Sequence, residues 1–214
     1  FSVHYDKDLL IEAPGTMCLE GIPDMTLRWR GDEIRMGWEP NTHVVTGDLY
    51  AGDGTPIPMC PRLALKRAVA AWEALGLTPK VGIELEAYAF VRQPDGSLAP
   101  YDNPGGVVYG TGNFTDPKGF TNAIWAKAQE IGMPLDLITA EYDTPQFAFT
   151  LTFGAAVDHV DTVVLFRQMA REVAFDHGVI LTFLPKPIPG KGGSGMHTNL
   201  SFTRYNSFDS SGLL

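Results

Sequence analysis

Residues 81–90 read VGIELEAYAF, with two glutamates two positions apart inside an apolar run. The β-branched and aromatic content predicts a strand, and a strand alternates its side chains, so Glu84 and Glu86 project from the same face. Two carboxylates that close repel each other, and withdrawing them from water raises the cost further. A strand that carries them needs something to neutralise them.

Working outward, the segment before this strand, CPRLALKRAVAAWEALGLTPK, predicts a helix. Pro61 stands near its start, Gly76 just past its end, and Leu65, Val69, Trp72 and Leu75 recur at helical spacing. The stretch before Cys60 is the expected domain boundary, with strand-and-turn material over residues 1–57. After the glutamate strand, YDNPGGVVYGTGNFTDP is too rich in Gly, Pro and Asn to be regular and predicts a long loop. A second helix is expected from Asp116-Pro117 to about Gly132. FAFTLTF then alternates a greasy face with Ala148, Thr150 and Thr152. A long amphipathic helix follows from about Ala155 to His177, closed by Gly178. VILTFLPKP predicts another strand, and GKGGSGMHTNLSF a glycine-rich turn entering a last one. Helices alternating with strands of this kind give a mixed fold, α/β or α+β.

The composition suits a globular chain with a sizeable core: 214 residues, 44% hydrophobic and 19% charged. A net charge of −9 argues against nucleic acid or an anionic membrane as partner. No apolar run reaches the length of a membrane span. Cys18 and Cys60 have no metal or redox spacing and are expected as small buried hydrophobes in a reducing cytoplasm. The chain lacks an initial Met and ends on DSSGLL, which reads as a piece of something longer.

Collecting the polar residues on the inward strand faces gives Glu84, Glu86, Glu141, His197, Asn199 and Ser201. Three carboxylates and an imidazole suit one or two divalent cations, and hard oxygen ligands favour Mg²⁺ or Mn²⁺. The alternative is a solvated sheet face with His197 packed against it.

Three ordered motifs carry a resemblance. PRLALKRAVAAWEALGLTPKVGIELEAYAF resembles the entry into the catalytic domain of the glutamine synthetase family, where a helix leads into an E-x-E strand. AEYDTPQFAF is similar to that family's E-x(4)-Q-x-E segment, and FLPKPIPGKGGSGMHTNLSF to its P-K-P followed by N-G-S-G-M-H. The approach from about Pro23 resembles the end of a β-grasp domain. The implied fold is α+β: the tail of a β-grasp domain over residues 1–57, then over 58–214 the first half of a catalytic domain with a curved antiparallel sheet and outer helices.

The resemblance implies an ATP-dependent ligase that joins the γ-carboxylate of glutamate to ammonia or an amine through a γ-glutamyl phosphate. It implies a cytoplasmic homo-oligomer assembled as stacked rings. By position, Glu86 and Glu141 would hold the metal nearer the glutamate, and Glu84 and His197 the one nearer the transferred phosphoryl group. Gly193 matches a position at the glutamate, and Asn199 and Ser201 match positions that reach the nucleotide.

Departures accompany the match. The family's third ligand for the glutamate-side metal falls at Ala148, Asn199 stands in place of a second histidine, and Gly192 replaces an asparagine. The resemblance also places substrate-binding arginines and a further metal ligand beyond Leu214, and a loop from a neighbouring subunit before Phe1. Two rival readings stand beside the ligase: a catalytically impaired relative kept as a binding or scaffold protein, and an unrelated metal-dependent hydrolase.

Other residues are expected to be structural. His4, His43, His159 and His177 lack ligand spacing, and Trp29, Trp38, Trp72 and Trp125 are expected in the core. Lys118, Lys186 and Lys191 are expected as solvated loop charges rather than phosphate contacts. GKGGSG has the wrong order for a phosphate-binding P-loop.

Overall fold

The computed structural model describes residues 24–204; His4 and Cys18 lie outside them. Its centre is β5, Leu77–Arg92, a 16-residue strand to which five others are hydrogen-bonded. All of these pairings are antiparallel. β11 (Met196–Arg204) runs along its first half, β8 (Gln146–Leu151) along its middle on the other edge, and β6 (Leu98–Pro100) and β10 (Ile180–Thr182) along its far end. β7 (Leu135–Ala140) continues the sheet beyond β8, and β9 (Gly154–Ala155) pairs with Lys80 and Val81. This is the α+β, antiparallel arrangement expected.

Alternation on β5 sorts its side chains cleanly. Val81, Ile83, Leu85, Ala87 and Ala89 point into the core with Phe147, Phe149 and Leu151 of β8. Two helices cover that face: α2 (Phe120–Glu130) contributes Phe120 and Ile124, and α3 (Ala156–Asp176) contributes Phe166, Met169 and Val173. Phe120 meets Phe147 edge-on at 5.1 Å and Phe149 meets Phe166 at 5.4 Å. Truncating any one of these rings to alanine would cost about 3–5 kcal/mol. The opposite face of β5, carrying Glu84 and Glu86, is thereby held on a rigid support.

α1 (Pro61–Glu73) opens on Pro61 and is followed by Gly76 at φ +75°, as expected. Its apolar stripe is only partly covered: Val69 packs against the core, whereas Trp72, tilted against Phe202 at 4.5 Å, remains 40% exposed, and Leu75 is exposed. The buried content of α1 is instead ionic. Arg62 donates to Asp161 of α3, to Asp48 and to Glu33, and Lys66 reaches Asp48 at 2.6 Å. Glu33 ends a short 3-10 turn, and Asp48 lies on β4 (Asp48–Tyr50). These ion pairs tie the strand-and-turn segment before α1 to the helices. That segment holds two small antiparallel pairs, β1 (Thr26–Arg28) with β4, and β2 (Ile34–Met36) with β3 (His43–Val45).

The other boundary expectations need adjustment. α2 starts at Phe120 rather than at Pro117, because Gly119 adopts φ +71° and breaks the helical run. Asp116 still caps it, accepting from Gly119 N, Thr121 N and Thr121 Oγ1. β10 stops at Thr182, since Pro185 and Pro187 have no N–H for a ladder. The tryptophans are less buried than expected. Trp38 packs against the core, donating to Glu172, whereas Trp29 and Trp125 are half exposed. Cys60 is buried and has no disulfide partner among the described residues.

A candidate metal centre beside a glycine-rich turn

Glu84 and Glu86 lie on the face of the sheet away from α2 and α3. Glu84 stands between His197 of β11 and Thr150 of β8, and Glu86 stands opposite Ala148. Glu141 follows β7 directly, its N–H donating to Gln146 O. The three carboxylates come together, one oxygen of each lying within 4.8 Å of the others. At an effective dielectric constant of roughly 20, unit charges 4.8 Å apart repel by about 3.5 kcal/mol per pair. Burial, and the charges of Glu86 and Glu84, push the Glu141 carboxyl above its ordinary range.

The protein supplies donors to one of the three. Glu86 Oε2 accepts from Gly195 N at 2.8 Å and from Gln146 Nε2 at 3.0 Å, while His197 Nε2 lies 3.0 Å from Oε1. The hydrogen bond to Glu86 raises the His197 pKa, so the imidazolium persists to higher pH than usual. His197 is otherwise exposed, its side chain 60% accessible. A side chain at Gly195 would force its neighbours to shift: a Cβ would sit 2.6 Å from His197 Nε2 and 2.9 Å from Glu86 Oε1.

The turn bearing Gly192, Gly193 and Gly195 is pinned from several sides. Gly192 N donates to Asp143, Tyr88 OH donates to Gly192 O at 2.9 Å, and Gln146 Nε2 donates to Gly193 O at 3.0 Å. Ser194 N donates to Pro185 O, and Lys191 Nζ to Thr144 O. Lys191 thus closes the turn, and Lys118 is likewise spent on Gly178 O. Asp143 occupies the space a side chain at 192 would take, its Oδ2 lying 2.9 Å from where a Cβ would stand.

A cleft of about 460 Å³ opens beside Glu84, lined by Gly82, Thr150, Phe153, Asn199 and Ser201 among others. Asn199 and Ser201 pair with Gly82 and Lys80 on the same face as His197. The residues singled out from sequence therefore fall into three adjoining groups: the carboxylates with His197, the turn with Gly193, and the cleft with Asn199 and Ser201. Ala148 is buried and offers no ligand opposite Glu86.

The donor set fits a hard divalent cation. Three carboxylate oxygens converge with an imidazole beside them, and a 2+ charge turns their mutual repulsion into ligation. Glu86 would ligate through Oε1, with the exposed His197 giving up its hydrogen bond there, since Oε2 already accepts two from Gly195 N and Gln146 Nε2. Sequence reasoning gave no role to Gln146, Asp143, Gly195 or Phe153. Gln146 was legible in principle, being two residues before Ala148 and four before Thr150 on the polar face of β8.

Residues 58–212 match the family model described as the glutamine synthetase catalytic domain. A glutamine synthetase of Clostridium saccharobutylicum is 30% identical over 182 residues, covering 83% of this chain and 41% of that protein. One from Methanosarcina mazei is 29% identical over 167 residues, 77% of this chain and 37% of that protein. Among solved structures, apo GmaS superposes with a TM-score of 0.75 at 25% identity, covering 89% of this chain and 47% of that one. The GmaS/ADP complex gives 0.74 at 26%, with 89% and 46% covered. The chain thus spans less than half the length of these relatives and structures.

Proposed function

The chain belongs to the glutamine synthetase family, and from that premise we propose that it carries part of the active site of an ATP-dependent ligase. The reaction joins the γ-carboxylate of glutamate to ammonia or an amine. ATP transfers its γ-phosphoryl group to that carboxylate, releasing ADP; the nitrogen nucleophile then attacks the acyl phosphate, loses a proton and expels phosphate. The observation that carries the reading is the convergence of Glu84, Glu86 and Glu141 within 4.8 Å, beside the glycine-rich turn.

In this reading Glu84, Glu86, Glu141 and His197 hold Mg²⁺ or Mn²⁺, which when bound offsets the charge of the phosphates against the glutamate carboxylate. Glu86 and Glu141 serve the glutamate side, and Glu84 and His197 the phosphoryl side. The backbone at Gly193, held by Gln146, receives glutamate where no side chain intervenes. Asn199 and Ser201 bind the nucleotide along the cleft beside Glu84. Residues 1–57 form the tail of a β-grasp domain and 58–214 the first half of the catalytic domain. The whole protein assembles as a ring-shaped homo-oligomer in the cytoplasm. Among the described residues, no helix is long and apolar enough to cross a membrane.

The test is ADP release by the whole protein with a panel of ammonia and amines, with and without glutamate. Glutamate-dependent turnover with at least one amine is expected; none with any member sinks the reading. A second reading, a catalytically impaired relative, is favoured by Ala148, which offers no ligand opposite Glu86. Cation titration separates the two: about two ions per site for the ligase, one or none for the relative.

A further inference from the structure

Gln146 begins β8, is 3% exposed, and points its amide at the metal centre. Both protons of its Nε2 are committed, one to Glu86 Oε2 and one to Gly193 O, each at 3.0 Å. Gly195 N makes the second hydrogen bond to the same Oε2, and Glu86 N returns one to Gly195 O. The carboxylate and the turn are thereby locked to each other, with one nitrogen joining them. An amide suits this position because it donates twice from one atom and carries no charge. A lysine would also donate, but it would neutralise the carboxylate that a cation needs.

We propose that Gln146 is a positioning residue that fixes Glu86 as a one-oxygen ligand through Oε1 and couples the cation to the 192–195 turn. The inference rests on the metal-site reading above. Without the amide, Glu86 Oε2 keeps Gly195 N as its one donor, and Gly193 loses its direct link to β8, so the carboxylate and the middle of the turn are held less tightly. Outer-shell partners of this kind are typically worth about tenfold to a hundredfold in metal affinity.

The experiment uses the chain with Q146L and Q146M, both apolar and close to glutamine in size, and Mn²⁺ as the probe. Free Mn²⁺ is read by electron paramagnetic resonance, folding by circular dichroism and thermal melting, and the turn by tryptic cleavage after Lys191, followed by mass spectrometry. Mn²⁺ is expected to bind the unaltered chain and to slow cleavage after Lys191. In whichever variant melts cooperatively, affinity should fall about tenfold or more, and Mn²⁺ should no longer protect Lys191. A folded variant that binds Mn²⁺ as tightly as the parent, with protection intact, overturns the proposal. A lower melting point alone, with affinity and protection unchanged, assigns Gln146 to stability and overturns it equally. Failure of the unaltered chain to bind Mn²⁺ is a different result, and removes the metal-site reading itself.

Discussion

Replacing Arg62 by methionine tests how the segment before α1 is held to the catalytic sheet. The Arg62 side chain is 10% exposed and serves three carboxylates at 2.6–3.1 Å, those of Glu33, Asp48 and Asp161. Among the described residues two other cations are in contact: Lys66, 2.6 Å from Asp48 and 3.6 Å from Glu33, and the exposed Arg30, 3.8 Å from Glu33. R62M therefore leaves three buried carboxylates with the Lys66 ammonium and the distal Arg30 guanidinium, and neither of these cations reaches Asp161. Removing one partner of a buried ion pair typically costs about 3–5 kcal/mol, and Lys66 should keep this case near the lower end, about 3 kcal/mol. For a chain of this size that corresponds to a drop in Tm of roughly 6–12 °C.

The pH dependence provides the sharper check. Burial alone would raise the Glu33 carboxyl, but its hydrogen bonds from Arg62 and from Arg30 N, with the charges of Arg62 and Lys66, hold it at about 2 against an ordinary 4.5. A depressed carboxyl contributes stability that is fully present above 4.5 and is lost as pH falls from 4.5 toward 2. R62M removes the hydrogen bond and charge of Arg62 and leaves those of Arg30 N and Lys66, so the depression shrinks, and the gap between parent and variant should be widest near pH 7 and narrow through that acid window. Urea unfolding followed by circular dichroism from pH 7 to pH 3 measures it. A gap under about 1 kcal/mol at pH 7, or one that stays constant with pH, would refute the reasoning.

Three other outcomes follow from the site. E141Q should weaken Mn²⁺ binding tenfold or more while raising Tm by a few degrees, because it removes both a ligand and a repulsive charge; calorimetric titration beside a thermal melt checks the opposite signs. G195A should cost about 1–3 kcal/mol and lower Mn²⁺ affinity, since its Cβ would fall 2.9 Å from Glu86 Oε1; an unchanged affinity would mean that His197 alone gives way. His159 Nε2 accepts from Ile83 N at 2.9 Å, so H159L should cost about 1–3 kcal/mol by orphaning that donor. Burial lowers the His159 pKa from 6.5, with the Thr152 backbone opposing, so the parent should lose stability as pH falls below 6.5 and H159L should not.

Much of the fold was written in periodicity. On β5 the odd positions from Val81 to Ala89 are apolar and the structure buries them, while Glu84 and Glu86, at even positions, come together on the other face. Gly76, Gly132 and Gly178 mark helix ends correctly because each takes a positive φ that other residues resist. Leu65, Val69, Trp72 and Leu75 recur at helical spacing and mark α1 correctly, but spacing reports a common face and not what covers it, so Trp72, expected in the core, stays 40% exposed. The start of α2 was misread because Pro117 suits a first turn in isolation, whereas Gly119 decides the backbone. The ion pairs of Arg62 join residues 14 to 99 positions apart, a distance at which sequence pattern is silent.

The two glutamates on β5 are tolerated on unequal terms, and the inequality bears on function. Glu86 meets three donors, Gly195 N, Gln146 Nε2 and His197 Nε2, all supplied by the folded chain. Glu84 has no hydrogen-bonding partner among the described residues, although it faces both Glu86 and Glu141. Glu141 is engaged only by the N–H of its neighbour, Tyr142, and its proton affinity is raised. All three carboxylates are half-buried, so clustering them without donors for each costs stability that a purely structural sheet has no reason to accept. Fixing one while leaving two short of partners fits the proposed cation site, in which Glu86 would set the position and Glu84 and Glu141 would offer open lone pairs. The cost of the unpaired charges then becomes affinity for what neutralises them.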